Sequence, residues 1–92
     1  MGEETVLFKS EEKETRQKAV DIIRKMADKI ESGQLQLSSG NQKVNLDIPN
    51  SVTLEIKAED EVKSSGTQQS LEIEIKWNKN QPDTPNPSLT IK

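Results

Sequence analysis

Glu59, Asp60 and Glu61 set three carboxylates in a row. Carboxylates bind hard cations such as Ca²⁺, but such a site draws about six or more oxygens from a shaped loop. The ligand spacing of an EF-hand is absent. Paired carboxylates also cleave glycosidic bonds by acid–base steps. That chemistry needs a concave pocket and shifted pKa values, which a small two-layer domain has little material to build. The run therefore reads as a solvated turn. Trp77 is the single tryptophan. Its ring could stack on a base, a sugar or a peptide, or close one end of the core with its indole N–H turned to water or a carbonyl. We read it, like Phe8, as core. Glu55, Lys57, Glu72, Glu74 and Lys76 alternate with apolar residues and should share a wet strand face with Asn45, Asp47 and Thr53. Cross-strand charge pairing explains such a face. The functional reading makes it, together with Trp77, a flat binding surface.

Other chemistry is excluded by what the 92 residues lack. There is no cysteine and no histidine, which removes thiolate nucleophiles, disulfides, Cys-ligated metals and the commonest general base. No GxxxxGK[ST] or GxGxxG run is present, and the glycines at 2, 33, 40 and 66 read as terminus, cap and turn residues. The chain is expected to bind no cofactor and not to be an enzyme. Lys and Arg number 13 against 16 Asp and Glu, for a net charge of −3. The two signs interleave rather than collect on one face, which argues against nucleic acid. No apolar run suits a membrane helix, and no signal-peptide pattern opens the chain. Val6 stands where N-myristoylation after Met1-Gly2 needs Ser or Thr. Absence of cysteine fits a reducing, cytoplasmic setting.

Hydrophobic residues make up 29% and charged residues 32% of the chain, a composition close to that of disordered chains. Ordering of the apolar residues rescues a fold. "TVLFK" at 5–9 suits a strand. Ser10 is a candidate N-cap, with Glu11 and Glu12 at the positive end of the helix dipole. Ala19, Val20, Ile22, Ile23, Met26, Ala27 and Ile30 then recur mostly at spacings of three and four. This predicts an amphipathic helix over about residues 11–32, closed by Gly33. From Gln34 onward the period is two. Leu35 and Leu37, then Val44, Leu46 and Ile48, then Val52 to Ala58, then Leu71 to Trp77 alternate with polar residues. "SSGN" at 38–41, Pro49-Asn50 and the polar stretch 60–69 divide the runs. The predicted class is α+β, with the order β-α-β-β-β-β: one amphipathic helix packed on a mainly antiparallel sheet in two layers. Residues 1–78 form the single expected domain. Pro82, Pro85 and Pro87 mark 79–92 as a disordered tail, with an edge strand at 88–92 as the alternative.

Four linked segments, "VLFKSEEK", "ADKIESGQLQL", "VNLDIPNSVTLEIKAEDE" and "SLEIEIKW", resemble the amphi-Trp domain family. These are small proteins of bacteria and archaea named for an amphipathic strand ending in tryptophan. The resemblance covers about residues 4–78 and implies the same strand–helix–sheet layout. It carries over no activity, substrate or catalytic residue, and the Pro-rich tail is outside the pattern.

The leading functional expectation is a non-catalytic module that binds a protein partner or a second copy of itself, since open strand edges accept further strands. An alternative is weak single-stranded nucleic-acid binding, with Arg16, Lys25 and Lys29 on the helix and Trp77 as a stacking ring. A remote alternative is an enzyme using carboxylates, Lys or Ser. The binding residues expected are Trp77, Lys76, Glu74, Glu72, Lys57 and Glu55.

Overall fold

The structure, a computed structural model, describes residues 2–79. The expectations for the tail, disorder or an edge strand at 88–92, fall outside the described residues. The fold is α+β, with one helix followed by four antiparallel strands. The described residues divide into two units, one up to Ile48 and one from Pro49 onward.

In the first unit, helix α1 spans Arg16–Ser32. It begins five residues later than the sequence predicted, and Thr15 rather than Ser10 is its N-cap. Thr15 holds an extended backbone, and its Oγ1 accepts the Lys18 N–H at 3.1 Å. The apolar stripe starts only at Ala19, so Glu11 to Glu14 bring charge to a turn that would have nothing to bury. Gln17 donates to Asp21 one turn on, at 2.9 Å. Gly33 ends the helix at φ +90°, in the left-handed region that favours glycine. Its N–H donates to the Ile30 carbonyl at 3.0 Å, and its own carbonyl accepts from the Ile48 N–H at 2.8 Å. The helix end is thereby tied to the end of the hairpin that follows.

That hairpin consists of β1, Gln34–Ser39, and β2, Gln42–Asp47. Gly40 and Asn41 form a two-residue loop, with Gly40 at φ +57°. Leu35 pairs with Leu46 and Leu37 with Val44. Helix α1 packs against β1. Leu35 is 7% exposed, and Val20, Met26, Ile30, Leu37, Val44 and Leu46 around this core are half-buried.

The first predicted strand, at 5–9, does not form. Val6 and Leu7 remain exposed and only Phe8 is half-buried, so little burial favours a ladder there. The side-chain amide of Gln42 instead takes both backbone groups of Lys9. The Lys9 N–H donates to Gln42 Oε1 at 3.1 Å, and Gln42 Nε2 donates to the Lys9 carbonyl at 3.0 Å.

The second unit holds β3, Thr53–Lys63, and β4, Gly66–Lys76, paired antiparallel from Thr53↔Lys76 to Lys63↔Gly66. The four strands thus make two hairpins rather than the single sheet predicted. Pro49, which has no N–H to give a ladder, stands between them. The stretch 60–69, predicted as a connection, is mostly strand, and only Ser64 and Ser65 form the loop. Apart from Val62 its residues are polar on both faces, so alternation disappears from the sequence while the ladder continues.

Candidate functional site

Every residue of the predicted binding set lies on β3–β4 or one position past it. Antiparallel register sets Glu55 opposite Glu74, Lys57 opposite Glu72 and Thr53 opposite Lys76. Lys57 Nζ is 3.3 Å from Glu72 Oε2. Lys76 Nζ lies 3.7 Å from Glu55 Oε1 and 3.8 Å from Glu74 Oε1. Two like charges placed opposite each other repel, and the Lys76 ammonium between them offsets that repulsion. The hydrogen bond to Glu72 holds the Lys57 pKa above the usual lysine value, with the charges of Glu72, Glu59 and Glu55 acting in the same direction. All these groups are exposed, and exposed pairs of this kind add little net stability.

The opposite face of the same hairpin is apolar. Leu54 pairs with Ile75, Ile56 with Ile73 and Ala58 with Leu71. Leu54 is 58%, Ile56 64%, Leu71 68% and Ile73 54% exposed. Alternation in the sequence marks these residues as one face. It says nothing about what covers them. Their exposure is the feature that sequence reasoning missed.

Trp77 follows β4 directly and is half-buried. With Thr53, Ile75, Lys76 and Asn78 it lines an open recess of about 530 Å³. The carboxylate run 59–61 is not the turn predicted for it but the middle of β3. Strand geometry sends Glu59 and Glu61 to one face and Asp60 to the other. Asp60 Oδ1 accepts from Gln69 Nε2 at 2.8 Å across the ladder, and Glu61 stands 3.8 Å from Lys63. Among the described residues no group of three or more Asp or Glu is placed to hold a metal ion. Nor is any helix among them long and apolar enough to cross a membrane.

In the first unit, Lys29, Ser32, Gln34 and Gln36 with Asn45 and Asp47 rim a half-open recess of about 680 Å³ over Leu35 and Leu46. It can offer amide hydrogen bonds and one charge of each sign. Arg16, Lys25 and Lys29 all lie on α1, in the first unit, whereas Trp77 lies in the second.

No curated protein and no solved structure matches the chain. The model of the Amphi-Trp domain matches residues 1–92, wider than the 4–78 over which the resemblance was read and inclusive of the Pro-rich stretch. An amphipathic β4 running into Trp77 agrees with that match, and the chain belongs to the Amphi-Trp domain family.

Proposed function

We propose that this chain is a non-catalytic protein-binding module whose contact surface is the apolar face of β3–β4. The observation that carries the reading is the exposure of Leu54, Ile56, Leu71 and Ile73 on one side of a hairpin whose other side is ion-paired. A two-stranded hairpin with an open apolar face is marginal in water. Covering that face gains roughly 25 cal/mol for each Å² removed from water. The function requires no nucleophile, metal or cofactor, and the absence of cysteine suits work in a reducing cytoplasm.

A photo-crosslinking side chain placed in living cells at Ile73, and separately at Glu74, tests the proposal. Discrete protein adducts from position 73, an adduct to a second copy included, with far fewer from position 74, are expected. No adduct from either position would remove the proposal.

A further inference from the structure

We infer that this module also binds a second copy of the chain, along the free edge of β3 beside the apolar face rather than across it, by antiparallel pairing of β3 with its own counterpart about a two-fold axis at Glu59. The inference rests on the binding-module reading and adds self-pairing at the strand edge that borders the apolar face. Among the described residues β3 pairs with β4 alone, so one edge of an eleven-residue strand has no strand neighbour. Such an edge is a template for another strand. A two-fold axis perpendicular to the sheet makes the added strand antiparallel and sets one residue opposite itself.

Charge selects that residue. With Glu59 at the axis, Lys57 faces Glu61 of the second copy and Glu55 faces Lys63 of the second copy. Symmetry repeats both pairs, so four opposite-charge pairs form and the single like pair is Glu59 with itself. Moving the axis to Ala58 puts Glu55 against Glu61 twice. Moving it to Asp60 puts Lys57 against Lys63 and Glu59 against Glu61. Moving it to Ile56 retains only the Glu55–Lys57 pair over a shorter overlap. The edge of β4 offers at best one kind of opposite-charge pair repeated by symmetry, Glu74 against Lys76 with the axis at Ile75 or Glu72 against Lys76 with the axis at Glu74. Cross-strand opposite charges stabilise a ladder and like charges oppose it, so one register of β3 stands apart.

The apolar face agrees with this register. Residues opposite one another across antiparallel strands point to the same side. The same axis therefore sets Ile56 beside Val62 of the second copy, and Val62 beside Ile56. Val62 is 83% exposed, the highest value among the large apolar residues, and it gains an apolar neighbour here. The product is a four-stranded sheet, β4–β3–β3–β4, with one charged face and one mainly apolar face that Asp60 and Gln69 interrupt near the axis. Three or more strands with a hydrophobic face are what independent stability of a sheet requires.

The experiment is light scattering on the full chain across a concentration series, beside the double exchange Glu61→Lys with Lys63→Glu. The exchange keeps the net charge of −3 and the neighbouring 61–63 ion pair, yet turns all four intermolecular pairs into like pairs. The parent chain should show twice its 10.3 kDa mass. The exchanged chain should already dissociate at a concentration about tenfold higher, meaning a Kd raised at least tenfold. Single cysteines report the register independently of folding losses, because the chain has none of its own. Under a mild oxidant Glu59→Cys should form a linked dimer, since opposed Cβ atoms lie about 4.5–5.5 Å apart. Glu61→Cys should link far more slowly, its symmetry mate being about 13 Å away at four residues' rise. A monomeric mass up to millimolar concentration, an unchanged Kd in the exchanged chain, or equal linking rates would each overturn the inference. A monomer that still gives Ile73 adducts to another protein would sink the second copy and leave the binding module standing. A monomer with no adducts would remove both.

Discussion

The Gln42 side chain holds Lys9 from both sides, accepting its N–H at 3.1 Å and donating to its carbonyl at 3.0 Å. A primary amide presents one donor and one acceptor side by side, as a residue on a neighbouring strand would. One side chain thus stands in for one rung of a ladder and pins a segment whose own apolar residues are largely exposed.

Replacing Gln42 with Ala should free that segment. A net hydrogen bond contributes about 0.5–1.5 kcal/mol, so amide exchange at Lys9 should quicken by roughly two- to tenfold. Exchange within β3–β4 should not change. Equal rates at Lys9 in both proteins would show that the amide adds nothing to the order of the segment.

Thr15→Ala should weaken α1 by about 1 kcal/mol through loss of the oxygen that caps Lys18. Thr15→Ser should be nearly neutral. Ser10→Ala should leave the helical circular dichroism and the melting midpoint unaltered, because Ser10 lies outside the helix. A larger loss at Ser10 than at Thr15 would move the helix start back to where the sequence placed it.

Leu35→Ala should cost about 2–5 kcal/mol. At 7% exposure Leu35 is the buried residue of the first unit. Leu54→Ala removes the same atoms from a side chain that is 58% exposed, and at concentrations too low for self-pairing its cost should stay near 0.5 kcal/mol. Urea unfolding curves of the two variants, taken dilute, compare them directly.

The charged face should make stability fall at alkaline pH. The Lys57 pKa is raised in the folded chain by Glu72 first, then by Glu59 and Glu55. A raised pKa means that the folded state holds this proton more tightly than the unfolded state. The contribution is present in full below the unfolded lysine pKa and is lost as pH rises through the higher folded value. Melting midpoints of the parent and of Lys57→Met should therefore differ at pH 8 and converge well above the ordinary lysine range. A gap that widened on that climb would contradict the assigned direction.

Periodicity made the helix and the inward residues of β1 and β2 legible, because the burial of Leu35, Val44 and Leu46 follows the two-residue alternation. Competition between caps was not legible. Ser10 and Thr15 both have an oxygen to offer, and the choice turns on where the apolar stripe begins. The strand at 60–69 was hidden for a related reason, since Asp60, Glu61, Gln68 and Gln69 are polar on both faces and leave no period to read. Alternation on β3 and β4 showed which side chains share a face, and the structure does place Glu55, Lys57, Glu72, Glu74 and Lys76 together. It carried no information about cover, a property of other parts of a chain or of other chains. The bond from Gln42 to Lys9 spans 33 positions, and no local rule connects residues so distant.

Two-residue loops at Gly40–Asn41 and Ser64–Ser65 also bear on time. Each ladder can close from its own turn outward, and the longest pairing in either joins Thr53 to Lys76. Loop closure over such short spans costs little entropy, and chains dominated by local contacts fold in microseconds to milliseconds. Hairpins form in about 1–10 µs. The chain therefore reaches a state with its β3 edge presented long before a second copy arrives by diffusion, and at low concentration encounter rather than folding sets the pace of assembly.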